Sequence, residues 1–437
     1  MKRLAFFFAT ALSTTTAFAE EVPKPPPPTQ LPALVTLSDA DRLFHTGGLD
    51  LLVADAQVVR AEGDLLAARA VQNPNIQGSV GYAFDYGPPA ACAGCSPWSF
   101  SVQLSDNATL FDIMTGKRGL RGDVARAALK AARLGRVDAE RVVRAQVKQT
   151  YVQVVVAKGA EDFTKEVQQT LTQSYEINKL RYPAVINEGD LARIEVQKLE
   201  ADQAVDQAKL AVRQGQIGLG FLLGARGIVP DFDVERTLLK FAVPASLQSA
   251  TEQSLLQTAM TTRADLRAWN FTRESAEAEL ALAKRQRFPD VALFANYTQS
   301  GTGPAAIQPP TVTLGLSFNL PIFYQQQGEV RRAEADIGGA TVQREKALAQ
   351  VVSDVTTAWS QYVAARDLVT RVETIRERAK KARDIVDLQF RGGTATLMDF
   401  LDAERQYIAA NQEHLQDLAL YWGAVFGLEQ AVGTELK

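Results

Sequence analysis

Four stretches of the chain alternate apolar and polar residues with period two, the pattern of a strand with two unlike faces. Ile76, Val80, Tyr82, Phe84 and Tyr86 fall on one face of the first, with Gln77, Ser79 and Asp85 on the other. In the second, Trp98, Phe100, Val102 and Leu104 alternate with Ser99, Ser101, Gln103 and Ser105. Val291, Leu293, Ala295 and Tyr297 share a face of the third. In the fourth, Val312, Leu314, Leu316, Phe318 and Leu320 alternate with Thr311, Thr313, Gly315, Ser317 and Asn319. The expected strands span about 75–86, 98–106, 290–299 and 311–320. Gly/Pro-rich loops, 87–97 and 300–310, join them into two hairpins. Segments of this length, with one face for lipid and one for water, fit a membrane barrel. A half-buried sheet in a soluble protein shows the same alternation. Two isolated hairpins in so long a chain weaken that second reading.

Most of the remainder reads as helix. Residues 116–181 and 328–391 hold no proline and few breakers. At 1.5 Å per residue, each helix would run roughly 90–100 Å, a coiled-coil-like rod. Leu348, Val351, Val352, Val355, Trp359, Tyr362 and Val363 mark one packed face at helical spacing. Shorter helices are expected over 190–223 and 396–430, and two more before the hairpins, over 37–70 and 255–286. Each half therefore reads as helix, hairpin, long helix, tight turn, helix. The two halves repeat at an offset of about 209 residues: Asp190 to Glu195 align with Asp399 to Glu404, and Gly224 with Gly433. The first repeat covers 37–224 and the second 252–433. A linker, 225–251, carries Pro230 and Pro244, and a short tail follows at 434–437. A repeat of this size is one supersecondary unit used twice.

Four strands cannot close a transmembrane barrel, because the smallest use about eight. An open sheet edge in lipid would strand backbone polar groups. If the strands span a membrane, the chain works as an oligomer: two copies supply eight strands, three supply twelve. The hairpins would then lie at one end and the turns about 100 Å away.

The N-terminus agrees with an exported chain. Lys2 and Arg3, an apolar run from Leu4 to Leu12, and Ala17-Phe18-Ala19 read as a signal peptide over 1–19. A Pro-rich tether, 20–36, follows. Net charge is −3, from 47 basic and 50 acidic residues, which argues against nucleic acid as a partner. Cys92 and Cys95 sit in the first hairpin loop and read as a small disulfide. With only two His, no metal or nucleophile constellation forms, so neither an enzyme nor a cofactor is expected.

The two turns carry the candidate chemistry. In the second, Gly392 and Gly393 end the long helix, and Thr394 or Thr396 caps the next. Asp399 and Asp402 are three apart and share a helix face. Around a symmetric pore they would make stacked carboxylate rings that filter cations; alternatively, both acids simply favour the positive helix N-terminus. In the first turn Pro183 stops the helix, and Glu188, Gly189 and Asp190 open the next.

Several ordered motifs resemble the TolC-type outer-membrane efflux channels. They are Arg263-Ala264-Asp265-Leu266-Arg267, then Asn319-Leu320-Pro321-Ile322-Phe323 leading to Gly328, and Gly392-Gly393 followed by Asp399-Phe400-Leu401-Asp402-Ala403. The resemblance runs from about Leu37 to the end. It implies a mainly helical fold with a membrane β-barrel: a homotrimer of twelve strands continuous with a long periplasmic α-helical barrel, in outer-membrane lipid. It implies a passive exit duct that meets a periplasmic adaptor and an inner-membrane transporter. The docking tips would be Glu188, Gly189, Gly392, Gly393 and Thr394. By the same resemblance, Asp399 and Asp402 match paired constriction aspartates, and Asp190 a carboxylate that latches the closed state. Phe390 stands where some members have a gate Tyr, and Ala395 where they have a gate Arg. That leaves Arg391 as a substitute cation, or apolar packing of Phe390, Leu397 and Met398. The run from Glu188 to Val196 resembles the heavy-metal efflux branch, with drugs as the other expected cargo. Secretion of a polypeptide through a type I system, or a periplasmic coiled-coil scaffold, are the alternatives.

Overall fold

The long helices follow from what their sequences lack. Residues 117–181 and 327–391 are proline-free and rich in Ala, Gln, Glu, Lys and Arg, all good helix formers. The structure, a computed structural model, describes residues 24–84, 97–184, 186–301 and 309–436. The expected signal peptide, the first residues of the tether, Tyr86 and the Cys92–Cys95 pairing lie outside the described residues.

In chain order the elements begin with β1 (Leu34–Val35), α1 (Leu37–Gly47), α2 (Leu49–Arg69), β2 (Asn75–Tyr82) and β3 (Trp98–Ser105). Then come α3 (Thr109–Met114), α4 (Lys117–Arg181), α5 (Glu188–Leu222) and β4 (Asp233–Val234). A 3₁₀ turn at Thr237–Leu239, α6 (Ala245–Gln248), α7 (Glu252–Thr262), α8 (Ala264–Arg285) and β5 (Val291–Ser300) follow. β6 (Thr311–Phe318), α9 (Gln327–Arg391) and α10 (Leu397–Val432) complete the chain. The helices α4 and α9 each hold 65 residues, about 98 Å of rod. Among the described residues no helix is long and apolar enough to cross a membrane.

The duplication is closer than the sequence suggested. The expected helix over 37–70 breaks at Gly48, and the one over 255–286 breaks at Arg263. Both break residues are extended, with the same φ of −62° and ψ of 120°. Each break yields an 11-residue helix, then one of 21 or 22 residues. Neither break was visible, because both flanks keep helical spacing. Gly224 and Gly433 both have positive φ, 87° and 82°, and each ends the last helix of its repeat. At Gly224 an added Cβ would strike the Gly47 carbonyl at 2.2 Å.

The chain divides into two compact units, each described by itself. One comprises residues up to Gln57, with Gly135–Asp265 and Ala347–Lys437. Its core is three apolar clusters. One joins α10 to α9 and α7 through Val355, Tyr362, Leu418, Tyr421 and Leu428. A second joins α1, α4 and the end of α5 around Phe44, Tyr151 and Leu223. The third gathers Phe163, Leu171, Ile194, Phe400 and Tyr407 near the turns. The linker is strapped to this unit by buried donors. Gln216 Nε2 donates to the Phe232 carbonyl, Trp422 Nε1 to that of Leu238 and Tyr421 Oη to that of Ala242. The far end of the expected tether is not free: Val35 is fully buried, β1 pairs in parallel with β4, and Tyr151 Oη donates to the Val35 carbonyl.

The second unit, Val58–Leu134 and Leu266–Lys346, holds one four-stranded antiparallel sheet in the order β2-β3-β5-β6. The two hairpins join through the β3–β5 ladder. Below the sheet the buried Lys117 ammonium bonds the Phe288 carbonyl and Asp290 Oδ1, both at 2.7 Å. The first strand ends at Tyr82, short of its expected bound.

Arg263 links the break between α7 and α8 to its surroundings. Its guanidinium is buried and bonds Asp265 at 2.6 Å, Asp354 at 2.8 Å and the Ala431 carbonyl at 3.3 Å. Replacing Arg263 with Met would leave two acids uncompensated. Both keep some solvent, so we expect a loss of about 2 kcal/mol, below the range for fully buried pairs. The thermal midpoint of the helical circular dichroism signal should fall by several degrees.

Candidate functional site: the helical turns and the two-faced sheet

The second turn is built by glycine and one threonine. Gly393 has φ 79°, and its N–H bonds the Phe390 carbonyl. Thr394 and Ala395 both donate their N–H to the Gln389 carbonyl, closing the end of α9. Thr396, not Thr394, is the cap. Its hydroxyl accepts from the Asp399 N–H, while Asp399 Oδ2 accepts from the Thr396 N–H at 3.0 Å and its hydroxyl at 2.6 Å. These bonds from Thr396 hold the Asp399 carboxyl below its usual pKa. Asp399 is thus a charged capping-box acid. Asp402, on the same face, is 61% exposed and pairs with Arg405 at 3.9 Å.

The first turn pairs its charges locally. Asn187 caps α5 by accepting from the Asp190 N–H at 2.8 Å. Asp190 accepts from Asn187 Nδ2 at 2.9 Å and from Arg193 Nη1 at 3.0 Å. The residue holding Asp190 is therefore Arg193, three positions on, and not Arg391. Arg391 is taken by Asp387, one turn back on α9, at 2.9 Å. Glu188 lies in the same first helical turn as Asp190, and a Cβ added at Gly189 would stand 3.2 Å from Asn187 Oδ1.

Apolar side chains pack at the second turn. Phe390 stacks on Phe400, with centroids 5.1 Å apart and planes 14° from parallel. Leu397 and Leu401 are buried in the same cluster. Met398 is not part of it and stays 43% exposed. Phe400, the inner partner of the stack, is absent from the expected site residues, although Phe390 and Phe400 flank the glycines.

A buried acid lies just beyond this packing. Glu404 on α10 is 2% exposed, and its Oε2 has no hydrogen-bond partner. Arg383 of α9 stands 3.9 Å away and lies over the Tyr407 ring, 4.5 Å from its centroid. Burial pushes the Glu404 carboxyl up; Arg383 opposes this, and Asp387, Glu166 and Asp384 add to it. A carboxyl raised on folding binds protons more tightly in the folded chain. Its contribution therefore becomes less favourable as pH climbs above the ordinary Glu value of 4.5. Glu404→Gln should raise the thermal midpoint by a few degrees at pH 7. The gain should vanish below about pH 4, which a pH series of melting curves would show.

The sheet sorts most of its side chains by chemistry. On β3, Ser99, Ser101, Gln103 and Ser105 are part-covered, whereas Trp98, Phe100, Val102 and Leu104 are exposed. On the central strands the polar side is therefore the sheltered side, while Gln77, Ser79, Thr311 and Thr313 of the edge strands are exposed. The ladders extend the polar side across the sheet in rows: Ser79, Ser101, Thr298 and Thr311, then Gln77, Gln103, Asn296 and Thr313. No charge stands in these rows. The opposite face bares Ile76, Val80, Phe100, Val102, Leu293, Leu314 and Phe318. Such a continuous apolar face marks a lipid or protein contact. Among the described residues no group of His, Cys, Asp and Glu could hold a metal ion.

Known proteins share this arrangement. The family model "Outer membrane efflux protein" matches residues 47–225 and 255–434, one stretch in each repeat. The chain is 28% identical to outer membrane protein TolC of Escherichia coli (strain K12) over 123 residues, which is 28% of this chain and a quarter of TolC. Solved outer-membrane channels share the fold. CmeC of Campylobacter jejuni aligns with TM-score 0.75 and 19% identity over 91% of this chain and 85% of that one. VceC of Vibrio cholerae aligns with TM-score 0.70 and 18% identity over 92% and 97%. The open state of MtrE from Neisseria gonorrhoeae aligns with TM-score 0.73 and 19% identity over 92% and 89%. The chain belongs to the outer membrane efflux protein family: it is a transport conduit of the outer membrane with its helical part in the periplasm, and not an enzyme.

Proposed function

We propose that three copies of the chain close a twelve-stranded barrel and serve as the exit duct of a tripartite efflux system. One observation carries this reading: the sheet has a mainly apolar face, an uncharged and mainly polar opposite face, and two unpaired edges, β2 and β6. Lipid accepts the face but not the edges. Each edge must find a β6 or β2 of another copy. In this reading the turns at Glu188, Gly189, Gly392, Gly393 and Thr394 meet a periplasmic adaptor, which couples the duct to an inner-membrane transporter of the RND type. The cargo is heavy-metal cations or drugs. The likeness of the first turn to heavy-metal members supports the former. The duct would pass such ions rather than hold them.

In this reading Asp402 supplies a carboxylate ring at the narrow end, and Asp399 fixes the helix that carries it. The stacked Phe390–Phe400 pair holds the resting turn, in place of a Tyr/Arg latch. Asp190, already bound to Arg193, would be released only if that pair opened.

Detergent extracts of the outer membrane should contain an oligomer of three times the chain mass that dissociates on boiling. A monomer in both states would overturn the trimer. In planar bilayers, Asp402→Asn should raise conductance and relieve block by divalent cations. Unchanged conductance and unchanged block would remove Asp402 from the constriction.

A further inference from the structure

One large apolar side chain stands on the sheltered, polar side of the sheet. Along β5 the residues on that side are Ala292, Phe294, Asn296, Thr298 and Ser300. Phe294 pairs across the ladder with Gly315 of β6 and, on its other side, with Ser105. Its ring lies over Gly315: a Cβ added there would meet Phe294 Cζ at 2.4 Å and Cε1 at 2.8 Å. Gly315 is also the single part-covered residue of β6. A glycine beneath an aromatic ring leaves the ring room to lie flat along the wall.

The neighbours of Phe294 are neutral hydrogen-bonding groups. Asn296 stands two positions along the strand on the same face, about 7 Å away. Its Nδ2 donates to Thr298 Oγ1 at 3.1 Å, but its buried Oδ1 has no partner. Gln103 and Gln77 continue that row. An apolar ring on an uncharged wall, with the amides of Gln103 and Gln77 in the neighbouring row, suits a molecule with a planar apolar part and a polar edge.

We infer that Phe294, held against the wall by Gly315, is a lumenal contact site for planar, amphipathic small molecules passing through the barrel. The inference rests on the trimeric duct, in which three such rings stand at one level of the lumen. Covering a glycine with an aromatic ring also shields strand backbone. That role alone predicts no effect on a passing solute.

The test uses the purified full-length oligomer in planar bilayers, with ethidium as the aromatic probe and Mg²⁺ as the control. Phe294→Ala should weaken ethidium block about fivefold, the scale of one lost aromatic contact. Phe294→Tyr should retain the block, and block by Mg²⁺ should not change in either variant. Gly315→Ala should push the ring off the wall and lower conductance, and adding Phe294→Ala to it should restore conductance. Equal ethidium block in wild type and Phe294→Ala would overturn the site. Wild-type conductance in Gly315→Ala would overturn the wall-held ring. If Gly315→Ala fails to assemble, the Phe294→Ala and Phe294→Tyr pair decides alone. Loss of the boil-sensitive oligomer in wild type would instead count against the trimer, which separates the two failures.

Discussion

In hydrocarbon a backbone N–H or C=O has no partner except another strand, and the rest of this structure follows from that constraint. Two separate hairpins would present four open edges. The β3–β5 ladder fuses them into one sheet and removes two. The remaining edges, β2 and β6, are eight residues each. Every unpaired group on them would cost several kcal/mol in lipid. No rearrangement within one chain relieves this, because four strands are too few to close. The duplication therefore does two things at once: it halves the open edges per hairpin, and it supplies a matched pair of 65-residue helices.

Much of this was legible in the sequence, for identifiable reasons. The strands showed because one face meets lipid and the other water, which enforces alternation at nearly every position. The long helices showed because proline is absent from 65 residues twice over. The breaks at Gly48 and Arg263 did not show. A single extended residue shifts helical phase little, and Arg263 looks like any polar helix residue until its three partners are placed. The β1–β4 pair was equally hidden, since two residues set no periodicity. Its partners also lie far apart in the chain, Leu34 facing Asp233.

The turns were legible in outline and not in detail. Their position followed from the glycines and from Pro183. The partner of each charge did not follow, because Asp190 had several candidate cations within reach of a flexible turn. Geometry selects Arg193, since a residue three positions on lies over the same helix face. It also gives Asp399 the capping role that its spacing from Thr396 allowed. Phe294 was missed for a different reason. It breaks the alternation of its strand toward the apolar side, and an extra apolar residue in an apolar stretch draws no notice. Alternation puts it on the face opposite Leu293 and Ala295, and the register adds that it lies across from Gly315.

The two repeats differ most where charge matters. In the first turn Asp190 is neutralised by Arg193 at 3.0 Å and held by Asn187, so the helix start is electrically closed. The second turn uses the same local architecture with Thr396 as the cap. At the position of Arg193 it carries Asp402. Reversing that one charge leaves an exposed carboxylate, its nearest cation at 3.9 Å and itself solvated. An exposed pair of that kind binds weakly, so Asp402 stays largely unneutralised. The cap and the Phe390–Phe400 stack take over the mechanical role that a salt bridge has in the first turn. Holding the turn by packing leaves the Asp402 charge without a structural task. On the proposed duct reading, that separation of mechanical and electrostatic roles lets the turn close without a Tyr/Arg latch and keeps the free charge on one repeat.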